Sequence, residues 1–446
     1  VGRPDLVVVQ EGDPIVDGGY RVVPAEDLTT EGRASGALPA AREPAVVQFT
    51  SGSTSDPRAI VLSHRAIVMQ VFGLADRVAR DDPSRDHMFS WLPLYHDLGF
   101  IACLVRSMVL GTPVTFLPTD LFLADPARWI IEMSRRRTTI SAAPNFAFGL
   151  VARQIERGLS EPVDLSSLKV VANGGEANDP RTVARFLEAA VPLGFDPGAL
   201  LPGYGLAEST CVVTVPPPGA GARMDHVSRA EVAKGVALPA PEGETSAGFV
   251  SVGPPIAGTE IKIVGDDGST LDDRRIGEIH TRGPCLMEGY LEDEEATRAA
   301  VSDGWLRTGD LGYLSGGELF VTGRLKDLII IRGQNYYAED IERIVQSVDG
   351  VRPGACVAFG ASAGATETLV IAAETKLEDP DDLAACSRAI KRQIWSSTGL
   401  SPSDIVLLPP GAVPKTSSGK LQRNVARQLY SEGVAQQVAL AVGAEG

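Results

Sequence analysis

The stretch Phe49–His64 reads FTSGSTSDPRAIVLSH and decides how the chain begins its fold. Its first half, TSGSTS, combines five hydroxyl side chains with one glycine, and an apolar run, AIVLS, follows. Hydroxyls and backbone N–H groups in such a turn can surround phosphate oxygens. The spacing is not that of a P-loop, since G-x-x-x-x-G-K-[ST] does not occur in the chain. Taken alone, the stretch fits a phosphate-binding loop and a polar turn between strands equally well.

Length and composition describe a globular protein of more than one domain. With 446 residues the chain is too long for a single core, and 44% hydrophobic with 22% charged residues is ordinary for a folded protein. A net charge of −16 argues against binding of nucleic acid, which needs a basic face. The most apolar run, Ile101–Leu110, is too short to span a membrane and contains Arg106.

Cysteine and histidine usage indicates a cytoplasmic protein without a zinc site. The five cysteines are scattered and odd in number, which is typical of a reducing compartment, and no H-x-x-x-H pair is present. No signal peptide opens the chain. Because the first residue is valine, we expect a trimmed chain or a fragment.

Alternating apolar runs and amphipathic stretches predict an α/β fold of mixed sheets flanked by helices. Helices are expected at 64–80, begun by Ser63, and at 127–137. We expect a large N-terminal domain at 1–325 and a small α+β C-terminal domain at 326–446. The segment 216–247 interrupts the pattern because it is rich in Pro, Gly and Ala, and we expect a loop with one short helix after Ser228.

Further motifs follow the opening stretch in a fixed order. Taken singly, Glu208 could be a helix N-terminal carboxylate, Asp310 a turn residue and Lys420 a solvated cation. Their joint order favours a shared function. The motifs are SWLPLYHDLGF (90–100), GYGLAEST (203–210), LRTGD (306–310), GRLKD (323–327) and PKTSSGKLQR (414–423).

With these motifs, the sequence resembles the adenylate-forming enzymes: acyl-CoA synthetases, luciferases and the adenylation domains of peptide synthetases. The resemblance extends over about 370 residues. It implies ATP-dependent activation of a carboxylic acid as an acyl adenylate, with release of pyrophosphate and transfer of the acyl group to a thiol. Because two anions must meet, such catalysis depends on positioning and charge neutralisation.

The resemblance implies a nucleotide site that uses ATP and Mg²⁺. Glu208 is expected to bind Mg²⁺, and Tyr204 is expected to stack on the adenine. Asp310 is expected to accept hydrogen bonds from the ribose hydroxyls with the help of Arg324. The other nucleotide-binding residues that it implies are Ser51, Gly52, Ser53, Thr54, Gly174, Gly175, Glu176 and Gly205.

Catalytic and hinge residues are implied in the same way. Lys420 is expected to donate to the carboxylate and the α-phosphate as charge builds, and His96 is expected to border the acyl pocket. Lys326 matches the hinge about which the small domain, a lid, rotates. Two features depart from the family: Arg58-Ala59 stand where Lys-Gly is usual, and the chain before the phosphate loop is short.

Several stretches look closest to the fatty acyl-AMP ligases of lipid and polyketide pathways, among them PLYHDLGFI and GRLKDLIIIRGQNYYAEDIE. The interruption at 216–247 resembles an insertion that those ligases carry, although a plain surface loop is the alternative. The insertion is associated with failure to use coenzyme A. The resemblance thus implies a fatty acid as substrate and, as acceptor, an acyl carrier protein or a polyketide synthase carrier domain.

Other interpretations stay open at this point. An amino or aryl acid could be the substrate, with Asp97 pairing an ammonium group, or coenzyme A could be the acceptor. An inactive ligand-binding homologue is a further possibility, although Lys420, Glu208 and Asp310 are all retained. Seven basic residues against one acid between Arg388 and Arg427 could steer an acidic carrier protein, or could be a solvated helical face.

Overall fold

A computed structural model describes residues 6–9, 21–24, 39–49, 58–78, 85–363, 366–415 and 421–440. The first strands pair in two small sheets. β1 (Leu6–Val9) and β2 (Arg21–Pro24) are parallel, whereas β3 (Pro44–Phe49) and β4 (Ala59–Ser63) are antiparallel. The apolar run of the opening stretch is therefore β4, a strand that ends directly at the first helix.

A parallel sheet forms the base of the N-terminal part. Its strands are β5 (Met88–Ser90), β6 (Val114–Phe116), β7 (Ile140–Ala143), β8 (Val170–Asn173) and β9 (Leu200–Pro202). The order is β6-β5-β7-β8-β9. The three inner strands and β9 are almost entirely buried, as expected for a parallel sheet covered by helices on both faces.

Helices connect these strands. Helix α1 begins after Ser63, whose Oγ accepts a hydrogen bond from the Ala66 N–H at 3.3 Å, as the sequence predicts. The helix predicted at 127–137 ends at Arg135, because Arg137 takes a positive φ of 48°. The helices are α1 (His64–Val78), a π-helix (Leu98–Val105), α2 (Arg106–Leu110), α3 (Thr119–Ala124), α4 (Ala127–Arg135), α5 (Asn145–Arg157) and α6 (Pro180–Ala190).

Antiparallel strands follow. Strands β12, β13, β16 and β15 form a sheet in that order, β17 pairs with β16, β10 pairs with β11, and β14 joins β4. Their bounds are β10 (Met224–Ser228), α7 (Arg229–Val232), β11 (Ser246–Val250), β12 (Glu260–Val264), β13 (Gly277–Arg282), β14 (Gly289–Tyr290), α8 (Glu294–Ala300), β15 (Val301–Ser302), β16 (Trp305–Ser315) and β17 (Glu318–Arg324).

The candidate insertion is more regular than the sequence suggests. Its predicted helix is present as α7, and Ser228 caps it by accepting from the Glu231 N–H. The rest of the prediction is wrong in part, because β10 is a strand that pairs antiparallel with β11. Pairing with a neighbouring strand, which composition cannot show, decides the conformation of β10.

The C-terminal part has its own sheets and helices. Strands β20, β21 and β22 form one sheet, with β20 and β21 antiparallel and β22 parallel to β21. Alternate residues bury two faces, one against α9 and α10 and the other against α11 and α12. The elements are β18 (Leu328–Ile331), β19 (Gln334–Tyr337), α9 (Ala338–Val345), β20 (Val351–Ala363), β21 (Thr366–Thr375), α10 (Pro380–Thr398), β22 (Asp404–Leu408), α11 (Arg423–Ser431) and α12 (Val434–Val438).

The predicted α/β class with mixed sheets is confirmed. In the described ranges no helix combines the length and the apolar character that crossing a membrane requires.

Candidate active site

Three strands of the parallel sheet end side by side, and the loops after two of them, β8 and β9, carry predicted site residues. β7 ends at Ala143, β8 at Asn173 and β9 at Pro202. Backbone hydrogen bonds join these ends: the Gly174 N–H donates to the Ala143 carbonyl at 3.2 Å and the Gly203 N–H to the Asn173 carbonyl at 2.8 Å. The carboxyl edge of such a sheet is where open α/β folds bind ligands.

Gly205 lies in a tight hairpin that only glycine can enter. The Tyr204 N–H donates to the Thr214 carbonyl at 3.1 Å, and the Val213 N–H donates to the Tyr204 carbonyl at 2.8 Å. A Cβ atom at Gly205 would lie 1.7 Å from the Cys211 carbonyl oxygen. The glycine therefore lets the two arms of the hairpin touch and fixes the position of Tyr204.

Tyr204 meets Asp310 although 106 residues separate them. The Tyr204 hydroxyl donates to Asp310 Oδ2 at 2.7 Å, and Arg324 Nε lies 3.0 Å from Oδ1. The Asp310 N–H donates to Thr308 Oγ1 at 3.1 Å, which fixes the loop. Burial, reinforced by the Asp310 carboxylate, raises the pKa of Tyr204 well above its usual value, so the hydroxyl keeps its proton. The result is a rigid carboxylate held by two donors.

Glu208 is oriented by a second tyrosine. The Tyr290 hydroxyl donates to Glu208 Oε1 at 3.0 Å, and burial raises the pKa of Tyr290 to about 12. The Arg58 guanidinium lies over the Tyr290 ring, 5.1 Å from its centroid, within the range of a cation–π contact. The arginine that departs from the family pattern thus lies next to the partner of Glu208.

His96 and Asp97 begin the π-helix. Asp97 Oδ1 accepts from the Leu98 N–H at 2.6 Å and lies 2.7 Å from His96 Nδ1. A Cβ atom built at Gly175 would lie 3.8 Å from His96 Cε1, so the histidine lies against the predicted adenine loop. Both contacts use the same oxygen of Asp97, Oδ1, and they orient the carboxylate at the start of the helix.

One cavity of about 1940 Å³ joins these groups to an apolar slot. The cavity is lined by Ile140, Ser141 and Ala142 of β7 and by Val170, Ala172 and Asn173 of β8. The paired apolar residues, Ile140 with Val170 and Ala142 with Ala172, share one face of the sheet and border the slot. The two alanines leave room near the carboxyl edge.

The hinge region contacts the C-terminal motif. Lys326, the predicted hinge, borders the cavity, and burial lowers its pKa. The next residue, Asp327, accepts from Arg423 at 2.8 Å, and the same guanidinium lies 3.1 Å from Glu339 and 2.7 Å from Glu342. Arg423 ends the motif PKTSSGKLQR, so this motif is anchored beside the hinge.

Ten of the predicted site residues border the same cavity, which sequence order alone could not show. Their individual roles remain predictions. The ten are His96, Gly174, Gly175, Glu176, Tyr204, Gly205, Glu208, Asp310, Arg324 and Lys326. The predicted residues Ser51, Gly52, Ser53, Thr54 and Lys420 lie outside the described residues.

Sequence reasoning missed two residues of the site. Thr308 orients the Asp310 loop and stands inside the motif LRTGD, so the motif itself offered a signal. Tyr290 lies 82 residues from Glu208 in the sequence, and nothing near it indicates its role.

The donor set fits Mg²⁺ only together with a substrate. Among the described residues no cluster of three or more His, Cys, Asp or Glu could hold a metal ion. Glu208 supplies a single oriented carboxylate at the cavity. Mg²⁺ is commonly bound by one or two carboxylates together with substrate phosphates, so Glu208 is compatible with that mode.

The fold and the cavity define the class of α/β proteins whose ligand sites lie at the carboxyl edge of the sheet. A model of the AMP-binding enzyme family matches residues 4–291. The chain belongs to this family and is an adenylate-forming ligase that activates carboxylic acids.

Similar proteins include some named as fatty-acid–CoA ligases and some named as fatty-acid–AMP ligases. The chain is 35% identical to a Mycobacterium tuberculosis protein named fatty-acid–CoA ligase FadD25, over 86% of this chain and 69% of that protein. It is 33% identical to one named long-chain-fatty-acid–AMP ligase FadD30, over 88% and 71%. A solved structure from a study of fatty acyl-adenylate ligases from E. coli and L. pneumophila is 31% identical, covers 97% of this chain and 80% of its own, and has a TM-score of 0.87.

Proposed function

We propose that the chain converts a fatty acid and ATP into an acyl adenylate and passes the acyl group to the phosphopantetheine thiol of an acyl carrier protein, such as a polyketide synthase carrier domain. The observation that carries this proposal is the continuity of one cavity. Its polar edge holds Tyr204 and Asp310, and its apolar slot follows the sheet face below. A fatty acid in the slot presents its carboxylate at that edge.

In this proposal the polar edge acts by positioning the nucleotide. Asp310, held by Tyr204 and Arg324, accepts from the ribose hydroxyls, and Gly174–Glu176 border the adenine. Glu208 would hold Mg²⁺ together with the substrate phosphates, and a bound ion would supply positive charge where two anions meet. Because Asp310 and Glu208 are already hydrogen-bonded to tyrosines, neither must reorganise when the nucleotide binds.

Residues 326–446 form the lid in this proposal, and Lys326 is the hinge that delivers Lys420. Support comes from a separate apolar core, since Ile329, Ile341 and Ile371 cluster with α10 rather than with the parallel sheet. A part with its own core can turn as a unit about a short connection.

The choice of a carrier protein over coenzyme A rests on the candidate insertion. Arg229 of α7 is paired with Asp340 of α9, and the Asn335 N–H donates to the Ala233 carbonyl at 3.1 Å. Just beyond the segment, Arg343 donates to the Gly248 carbonyl at 2.7 Å. These contacts hold the C-terminal part against the candidate insertion and so restrain rotation of the proposed lid. A lid restrained in this way fits a family member that does not use coenzyme A.

A basic surface on α10 supports a protein acceptor. Arg388, Lys391 and Arg392 are exposed, and Trp395, 62% exposed, lies one turn further along the same side. Exposed tryptophan and arginine are typical of interface centres, and basic residues attract an acidic partner on a chain of net charge −16.

Pyrophosphate release tests the activation step. The full chain is incubated with ATP, Mg²⁺ and a panel of fatty, amino and aryl acids. We expect release with fatty acids and none with amino acids. Release with amino acids alone would reject the fatty-acid assignment. Lys420→Ala should abolish release but retain ATP binding by calorimetry.

Acceptor choice is tested separately. Thioester formation is compared between coenzyme A and a phosphopantetheinylated carrier protein, and we expect transfer only to the protein. The double variant Lys391→Glu with Arg392→Glu should slow that transfer without changing pyrophosphate release. Arg298→Glu, an exposed charge reversal on α8, is the matched control. Equal rates with coenzyme A would refute the proposed acceptor.

A further inference from the structure

The apolar slot contains a charged side chain that the proposed chemistry does not use. Arg106 begins α2 directly after the π-helix, and only 2% of its surface is exposed. Its Nε, Nη1 and Nη2 atoms are all buried and have no hydrogen-bond partner among the described residues. Arginine stays charged in proteins, so an unpaired guanidinium in such a place is strongly unfavourable.

The nearby acidic group makes no hydrogen bond to Arg106. Asp86 acts on it electrostatically, but Asp86 Oδ1 lies 3.1 Å from Lys169 Nζ and accepts from Thr139 Oγ1 at 2.9 Å, and the buried Asp86 Oδ2 has no hydrogen-bond partner among the described residues. Arg106 forms no ion pair within the described part of the chain. The guanidinium donors of Arg106 are therefore without a partner, and a bound anion would supply one.

Arg106 borders the cavity at its end away from the nucleotide edge. Met88, Ile140 and Val170, which begin β5, β7 and β8 in register, line the slot there. Asp86, which acts on Arg106, lies two residues before β5 at this same end. The eight residues of the π-helix, Leu98–Val105, connect this edge to Arg106 and extend over at most about 12 Å at 1.5 Å per residue. An acyl chain activated at the edge would point its far end toward Arg106.

We propose that Arg106 binds a carboxylate at the ω end of the substrate, so that the acid activated by this chain is an α,ω-dicarboxylic acid. The inference rests on the proposed function, because it places the first carboxylate of the same molecule at the nucleotide edge. It makes Arg106 a specificity-determining residue of the acyl slot.

The chemistry favours a carboxylate over a neutral polar group. A guanidinium presents a planar fork of N–H donors that matches a carboxylate bidentately. An ω-hydroxyl or ester would satisfy one or two donors but would leave the buried charge uncompensated. A plain methyl end would leave both the donors and the charge without a partner.

The test compares three acids of equal length in pyrophosphate release by the full chain: a monocarboxylic acid, the dicarboxylic acid and its mono-methyl ester, from about C8 to C16. For the best length, kcat/KM should be about 10- to 100-fold higher for the dicarboxylic acid than for the other two. Equal or better use of the monocarboxylic acid at every length overturns the inference and leaves the proposed function intact. Equal use of the ester overturns the assignment of a carboxylate.

Variants isolate the side chain. Arg106→Met, apolar and of similar length, should reverse the preference toward the monocarboxylic acid, and Arg157→Met, an exposed arginine on α5, should not. An unchanged ratio in Arg106→Met refutes the inference. If Arg106→Met does not fold, the comparison of the three acids on the unmodified chain tests the preference for a dicarboxylic acid by itself. If no acid supports release, the proposed function fails, and calorimetry then decides whether the chain binds a dicarboxylic acid through Arg106.

Discussion

Replacing Gly205 with alanine tests whether the hairpin after β9 sets the nucleotide edge. The added Cβ would lie 1.7 Å from the Cys211 carbonyl oxygen and 2.8 Å from the Val212 Cα. Since Cβ contacts below 3.0 Å essentially do not occur, the two arms must separate by roughly 1.3 Å. Both contacts are backbone, so no side-chain rotation can relieve them. Overpacking of this kind costs about 1–3 kcal/mol of stability.

The same displacement should impair activation. Tyr204 precedes the substituted position and is tied to Thr214 across the hairpin, so its hydroxyl would move away from Asp310. A misplacement near 1 Å can cost about 100-fold in rate. We therefore expect kcat/KM for ATP in the pyrophosphate assay to fall about 100-fold at a temperature where the variant is folded, together with a lower thermal midpoint.

Gly248→Ala is the matched control. Its added Cβ would lie 3.4 Å from the Pro180 Cγ, an ordinary contact on β11, and neither activity nor thermal midpoint should fall. If Gly205→Ala retained the unmodified thermal midpoint and kcat/KM, the hairpin would not hold Tyr204 in place, and the reasoning on the nucleotide edge would be wrong.

Three further changes have defined outcomes. Tyr204→Phe leaves Asp310 with an unpaired oxygen, so the free energy of unfolding in urea should fall by about 1–3 kcal/mol and the KM for ATP should rise. Arg423→Met leaves buried carboxylates, including that of Glu342, without their cation, so the free energy of unfolding should fall by about 3–5 kcal/mol. An unchanged free energy of unfolding in urea titrations would contradict the ion cluster around Arg423. Burial, together with Arg136, lowers the pKa of His87, so the unfolded chain binds the proton more tightly. Stability should fall from about pH 7 to pH 5, and less so in His87→Gln; equal slopes of the thermal midpoint against pH would contradict this.

The fold class could be predicted from the sequence because alternating apolar runs and amphipathic stretches mark strands and helices locally. Parallel strands place their carboxyl ends at one edge, so loops such as Gly174–Glu176 and Gly203–Glu208 had to come together. The periodicity of α1 and its cap at Ser63 are likewise local properties, and the structure agrees with both. Predictions of this kind succeed where short-range chemistry alone decides the conformation.

Long-range pairing explains what could not be predicted. The segment MDHVS of β10 has weak strand character by itself, and its conformation depends on its register with β11. Tyr290 reaches Glu208 because β14 pairs with β4, a contact between strands more than 220 residues apart. The sequence contains no local mark of such a pairing.

The role of Arg106 in substrate specificity could not be predicted from the sequence for the same reason. In the sequence it is a single charge within an apolar run, and it served only to argue against a membrane span. Its importance arises from three facts that need the fold: the burial of its guanidinium, the lack of a hydrogen-bond partner for its nitrogens among the described residues, and its place in the lining of the cavity. An unpaired buried charge is too costly to be retained by packing alone. A binding partner that supplies the missing anion therefore accounts for it better than a structural role does.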